Sequence, residues 1–178
     1  MESERKQKSL NELYEEVIIQ LKKTSYFSYA FIYKTEKDFK SFKEKANEQA
    51  KNGKTFRDLV EDRLDYNLKA KNGFVSNKRQ LMIDTGYNSS STLYELLDNP
   101  NRNFAIACAI DLGMNYEEAN ELLCSAGISL YERNRRDCFI KACLINSPYK
   151  LDDVNVFLEN SMNTDGIIYK GKKTKNSD

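Results

Sequence analysis

Residues 77–97 read NKRQLMIDTGYNSSSTLYELL, and the reading of this stretch decides the fold. Asn77 is a good helix N-cap, because its short side-chain oxygen accepts from a free amide of the first turn. Gln80 stands three positions on, the spacing at which a side chain reaches back to the cap's own amide. Leu81, Met82 and Thr85 make a small inward face, and Gly86 is the residue best able to end the helix at positive φ. Asn88, Ser89, Ser90 and Ser91 restart the chain with oxygens suited to the amides of a following turn. Leu93, Leu96 and Leu97 then share one face, which leaves Ser90, Ser91, Thr92, Tyr94 and Glu95 exposed. Two short helices about a glycine turn serve either of two ends. They pack any αα-hairpin, or they form a helix-turn-helix whose second helix enters a major groove.

Downstream, Phe104, Ala107, Cys108, Asp111 and Leu112 continue a helical pattern as far as Gly113. Asn115 with Glu118 caps a helix carrying Tyr116, Ala119, Leu122 and Leu123 inward, and Gly127 stops it. Asn134 caps a helix from Arg135 to Ile145, and Ser147-Pro148 restarts the chain for Leu151, Val154, Phe157 and Leu158. Upstream, Phe56, Leu59, Val60 and Leu64 give a helix its core face. Ser9 with Glu12 matches a capping box ahead of Leu10, Leu13, Val17, Ile18 and Leu21, and Thr24-Ser25 is expected to break that helix. The aromatic run Tyr26 to Tyr33 has no clean period and reads as strand, helix or connector, whereas Glu36 to Ala50 reads as a solvated helix. The expected divisions are a helical region over 1–54, a main domain over 55–162 and a disordered basic tail over 163–178.

From Phe56 to Met162 the chain resembles a lambda-repressor-like helix-turn-helix domain with an appended helical pair, of the kind found in Firmicute regulators and in phage or mobile-element proteins. The resemblance rests on TFRDLVEDRL, KRQLMIDTGYN with STLYELLDN, AIACAIDLGMNYEEANELLCSAGI, and LYERNRRDCFIKACLINSPYKLDDVNVFLEN. LGMNYEEANELL and LYERNRRD are its most specific parts. It implies an all-α bundle with extra N-terminal and C-terminal helices, and a regulator that binds specific double-stranded DNA as a homodimer. Carried over residue by residue, Lys78, Arg79 and Gln80 would contact backbone and bases, Ser90, Ser91, Thr92 and Tyr94 would face the groove, and Arg102 would hold phosphate. Two departures stand out. Asp98 to Asn103, DNPNRN, replaces the usual glycine, basic residues and Ser-Arg, and residues 68–76 are an insertion between the first two helices.

Charge restrains that expectation. The net charge of +1 gives no global basic field, and the segment 89–98 contains Glu95 and Asp98 but no Lys or Arg. Cations gather instead at Lys78-Arg79, at Arg133, Arg135 and Arg136, and along Lys170 to Lys175. Arg135 and Arg136 read as structural partners of neighbouring acids, with a phosphate clamp as the sharper alternative. The rival function is therefore a protein-interaction module on the same scaffold: an anti-defence or anti-CRISPR inhibitor, an antitoxin or an adaptor. It would use Tyr26, Tyr29, Phe31 and Glu95. An excess of lysine over arginine, with abundant asparagine, suggests an AT-rich genome.

Catalysis is poorly supported. The chain has no histidine, its seven glycines are scattered singly, and acidic pairs such as Glu117-Glu118 fall in helix first turns as dipole partners. No catalytic residue, metal ligand or cofactor is expected. Cys108, Cys124, Cys138 and Cys143 lie in apolar helical stretches without a metal-binding spacing and read as buried thiols of a reducing cytoplasm. No apolar stretch is long enough to span a bilayer, and MESERKQKSL has no hydrophobic signal core.

Overall fold

Every residue from Phe104 to Ile110 is buried, so the helix carrying them is enclosed on all sides and the other elements are arranged round it. The computed structural model describes residues 8–27, 53–131 and 134–170. Among these the chain is all-α, with eight helices: α1 (Leu10–Phe27), α2 (Phe56–Ala70), α3 (Lys78–Asp84), α4 (Ser90–Asp98), α5 (Arg102–Asp111), α6 (Tyr116–Ser125), α7 (Arg135–Ile145) and α8 (Leu151–Asn160). The enclosed helix is α5, which touches α3, α6 and α8, while α2 packs on α4 and α6, and α1 lies along α7. None of these helices is long and apolar enough to cross a membrane.

Caps set most helix starts. The side chains of Asn77, Asn101, Asn115 and Asn134 accept from the amides of Gln80, Phe104, Glu118 and Asp137. Thr55 with Asp58 and Asn115 with Glu118 close full capping boxes, and Ser9 with Glu12 makes the same reciprocal bonds. At Asn77 the box is only half made, because the Gln80 side chain turns forward and donates to Asp84 Oδ1 at 2.6 Å.

Two expectations are corrected. First, Thr24-Ser25 does not break α1, which runs on to Phe27: hydroxyl and β-branched residues cost only about half a kcal/mol each in a helix. Tyr26 therefore stands on a helix, whereas Tyr29, Phe31 and the helix expected over 36–50 lie outside the described residues. α1 is itself joined to the main core. Leu13 and Val17 are buried, and the Tyr14 ring packs edge-on against Phe139 of α7 and Phe157 of α8, with centroids 6.2 and 5.7 Å away.

The second correction concerns the tail. Residues 163–170 form a strap built into the fold, and only 171–178 lie outside the described residues. Asn155, buried on α8, accepts from the amides of Ile167 (2.7 Å) and Ile168 (2.9 Å), and Ile167 is itself buried. Arg136 donates to the carbonyl of Asp165 at 3.1 Å. The Tyr169 amide donates to the Thr85 carbonyl at 3.0 Å, and its ring stacks in parallel on Tyr87 with centroids 4.7 Å apart. The strap thus closes on the turn between α3 and α4. Gly86 there has φ +86°, and a Cβ on it would overlap the Tyr169 carbonyl oxygen, so two separate constraints demand glycine.

Candidate nucleic-acid interface

The α3–turn–α4 pair buries Leu81, Thr85, Tyr87, Leu93, Leu96 and Leu97 and turns its other side outward. Ser90, Ser91, Tyr94 and Glu95 of α4 are exposed, but Thr92 is half-buried. Ser89 precedes α4 without a side-chain cap bond, its hydroxyl lying 2.7 Å from that of Ser91 instead. The first amides of α4 therefore have no side-chain cap, the state in which a helix start attracts an anion. Arg79 and Gln80 are exposed at the start of α3, and Arg79 has no ion-pair partner among the described residues.

Tyr94 is the centre of this face. It is 46% exposed, and both Arg57 of α2 and Lys78 of α3 lie against its ring, at 5.5 and 5.4 Å from the centroid. Arg57 also donates to the Tyr94 carbonyl at 3.1 Å. A helix without a basic residue of its own thus receives two cations from its neighbours. Arg57 was not singled out in the sequence. Its place on α2 follows from Phe56 and Val60 facing inward, but its meeting with Tyr94 depends on the packing of α2 on α4.

The cations of the face are matched by acids. Arg57 pairs with Asp98 at 2.7 Å and Lys78 with Glu61 at 2.6 Å, and Glu95 adds an exposed carboxylate. The paired groups are all at least 32% exposed, so each pair is worth no more than about 1 kcal/mol and exchanges readily with another anion.

Arg102 is placed otherwise than the resemblance implies. Its guanidinium faces inward, donating to Asp137 at 2.6 Å and to the Ser129 carbonyl at 2.7 Å, with the Tyr131 ring 4.9 Å away. Asp137 is 2% exposed, so this arginine neutralises a buried carboxylate and is not free for phosphate. Arg135 and Arg136 are structural as well, although they bind backbone carbonyls of Met162 and Asp165 and the side chain of Asn103, not acids.

Elsewhere, Asp111 ends α5 at a cleft of about 550 Å³ between the 72–75 loop and the start of α8. Burial, with Asp84 and Asp152 nearby, raises its pKa to about 7, and its Oδ2 is buried without a hydrogen-bond partner among the described residues. Cys108 and Cys143 are buried, and desolvation pushes the first thiol well above its usual value and the second to about 12. Cys124 and Cys138 are only half-buried, contrary to the sequence reading. No family model, curated protein or solved structure matches this chain.

Proposed function

We propose that the chain binds duplex DNA with sequence preference, as a transcriptional regulator of the lambda-repressor-like helix-turn-helix kind, using α4 as the helix that enters the major groove. The observation that carries this reading is Tyr94, exposed at the middle of α4 with Arg57 and Lys78 held beside it. Arg79, Lys78 and Arg57 contact phosphate, the latter two by exchanging exposed carboxylates for it. Ser90, Ser91 and Tyr94 face base edges, with Gln80 at the margin. Arg102 supports the scaffold and takes no part. A single copy presents three cations against Glu61, Glu95 and Asp98, so useful affinity comes from two copies on adjacent half-sites.

Selection of bound fragments from random duplex, followed by salt titration of the best one, tests this. The expected result is a two-fold-related motif, an Arg79→Ala variant with its log K against log salt slope reduced by about 0.9, and a Tyr94→Ala variant with altered base preference worth about 1–3 kcal/mol. Affinity no different from random competitor would refute it. A second reading, a protein-interaction module, is favoured by the carboxylates that neutralise Arg57 and Lys78 and by exposed Glu95 on the same face. On that reading the Tyr94 and Glu95 variants disrupt a protein complex and leave DNA affinity unchanged.

A further inference from the structure

Arg135 and Arg136 open α7 and face a groove of about 640 Å³, whose other walls are Asn103 of α5 and the strap at Thr164 and Asp165. The bonds that fix these arginines leave their charge unanswered. Arg136 is half-buried, and every group it donates to is neutral: the Asp165 carbonyl through Nε, and Asn103 Oδ1 at 2.9 Å and the Gly166 carbonyl at 3.4 Å through Nη2. Arg135 gives one bond to the Met162 carbonyl at 3.0 Å and lies against the Tyr14 ring. Arg136 Nη1 and most of the Arg135 fork therefore have no acceptor among the described residues. Among those residues neither arginine has a carboxylate at ion-pair distance. Asp137 is taken by Arg102 at 2.6 Å, and Asp165, which lines the groove, turns an exposed side chain to its rim. Burial lowers the Arg136 pKa, and the Arg102 charge adds to that, against the opposite pull of Asp137 and Asp165. A desolvated cation with only neutral partners is short of a counterion.

We infer that the groove takes a phosphate group, held in the forks of Arg135 and Arg136 with the Asn134 side chain at its edge. The Asn134 oxygen is occupied by the Asp137 amide, which leaves its nitrogen to donate. Phosphate fits better than chloride because its oxygens can meet two planar donor forks at once. The place of the groove favours the backbone of a duplex as the source. Asn103 stands in the first turn of α5, directly after the loop that leaves α4, and the arginine expected to hold phosphate there, Arg102, is spent on Asp137. A strand running out of the α4 half-site over this loop meets Arg135 and Arg136 instead. That assignment rests on the DNA reading above, whereas the phosphate site does not, and a free phosphate monoester is the other source of the same chemistry. Asn103 is the handle that separates binding from folding. An aspartate there has the same size and places a tethered carboxylate on Arg136, filling the site from within.

Titration of the full chain with inorganic phosphate, followed by NMR at an ionic strength held constant with chloride, tests the site. Shifts should centre on Asn103, Arg135 and Arg136, and chloride alone should not produce them. Asn103→Asp should raise the thermal midpoint while weakening phosphate binding at least about ten-fold, a loss that unfolding cannot explain. Asp165→Asn removes the competing carboxylate, keeps the backbone carbonyl that Arg136 uses, and should tighten binding. Absence of phosphate shifts in the wild type, or wild-type phosphate affinity in Asn103→Asp, overturns the site whatever the chain does with DNA. Salt titration on the selected duplex then separates the sources. Arg135→Gln should lose about 0.9 from the log K against log salt slope if backbone phosphate occupies the groove. An unchanged slope, with inorganic phosphate still bound by the wild type, overturns the backbone assignment and gives the site to a free monoester. A wild-type chain that takes phosphate but no duplex keeps the site and overturns the DNA reading alone.

Discussion

Replacing Asp111 by Asn should stabilise the protein above neutral pH and change little in acid. Asp111 is the last residue of α5, where the negative end of the helix dipole opposes a carboxylate. Its Oδ2 is buried without a partner among the described residues, desolvation is the main force against ionisation, and Asp84 and Asp152 add repulsion. With the carboxyl raised from 3.8 to about 7, the folded state binds a proton that the unfolded chain has already released. Stability contributed by that proton is complete below the unfolded value and is lost as pH rises through the folded one. The full loss, for a shift of roughly three units, is about 4 kcal/mol. An amide in the same place buries a polar group much as the protonated carboxyl does, so that cost of about 1–3 kcal/mol is common to both and cancels. The net gain expected for Asp111→Asn at about pH 8 is thus close to the full loss of about 4 kcal/mol, or roughly ten degrees of melting temperature. Urea unfolding of both proteins from about pH 4 to pH 8 measures it, with wild-type stability declining across the window and the variant staying level. Parallel curves, or a variant less stable at the alkaline end, would refute the argument.

Other outcomes follow from the packing. Gly86→Ala should destabilise by more than the roughly 1 kcal/mol typical of positive φ, because its Cβ meets the Tyr169 carbonyl; thermal melts of Gly86→Ala with and without a chain shortened at residue 162 separate the two causes. Arg102→Met leaves Asp137 buried and unpaired and should cost about 3 kcal/mol, with no change in salt slope on DNA if the folded fraction is accounted for. Asn155→Leu removes the acceptor of two strap amides, and hydrogen exchange of Ile167 and Ile168 should rise well before that of the helices. Alkylation under native conditions should spare Cys108 and Cys143, whose thiols are held protonated by burial, and begin at the less buried cysteines.

What the sequence disclosed was local. Asn77, Asn101, Asn115 and Asn134 cap within three residues of themselves, and Gly86 and Gly127 leave their helices within one, so pattern reading finds them. The buried leucines of α4 follow from spacing alone. The all-α character was legible for the same reason. The strap was not, because residues 163–170 are mostly polar, have no period, and gain their order from Asn155, Arg136 and Thr85. Nor was the fate of Arg102, since its partner stands 35 residues on and a surface phosphate contact and an internal ion pair look alike in sequence. The cations at Tyr94 belong to the same class: the charge of α4 is set by α2 and α3, and counting within the helix misses it.

The Thr85–Tyr169 hydrogen bond also has a consequence in time. A turn of this kind is the part of a helical hairpin that usually forms early, from contacts a few residues apart. Here the Thr85 carbonyl waits for an amide near the far end of the described chain, and the Tyr87 ring stays uncovered on one side until Tyr169 has been synthesised. Nascent chains that stop short of residue 169 would therefore carry a formed but open turn, and proteolysis of stalled chains of increasing length should show protection around Gly86 arriving as a late, separate step.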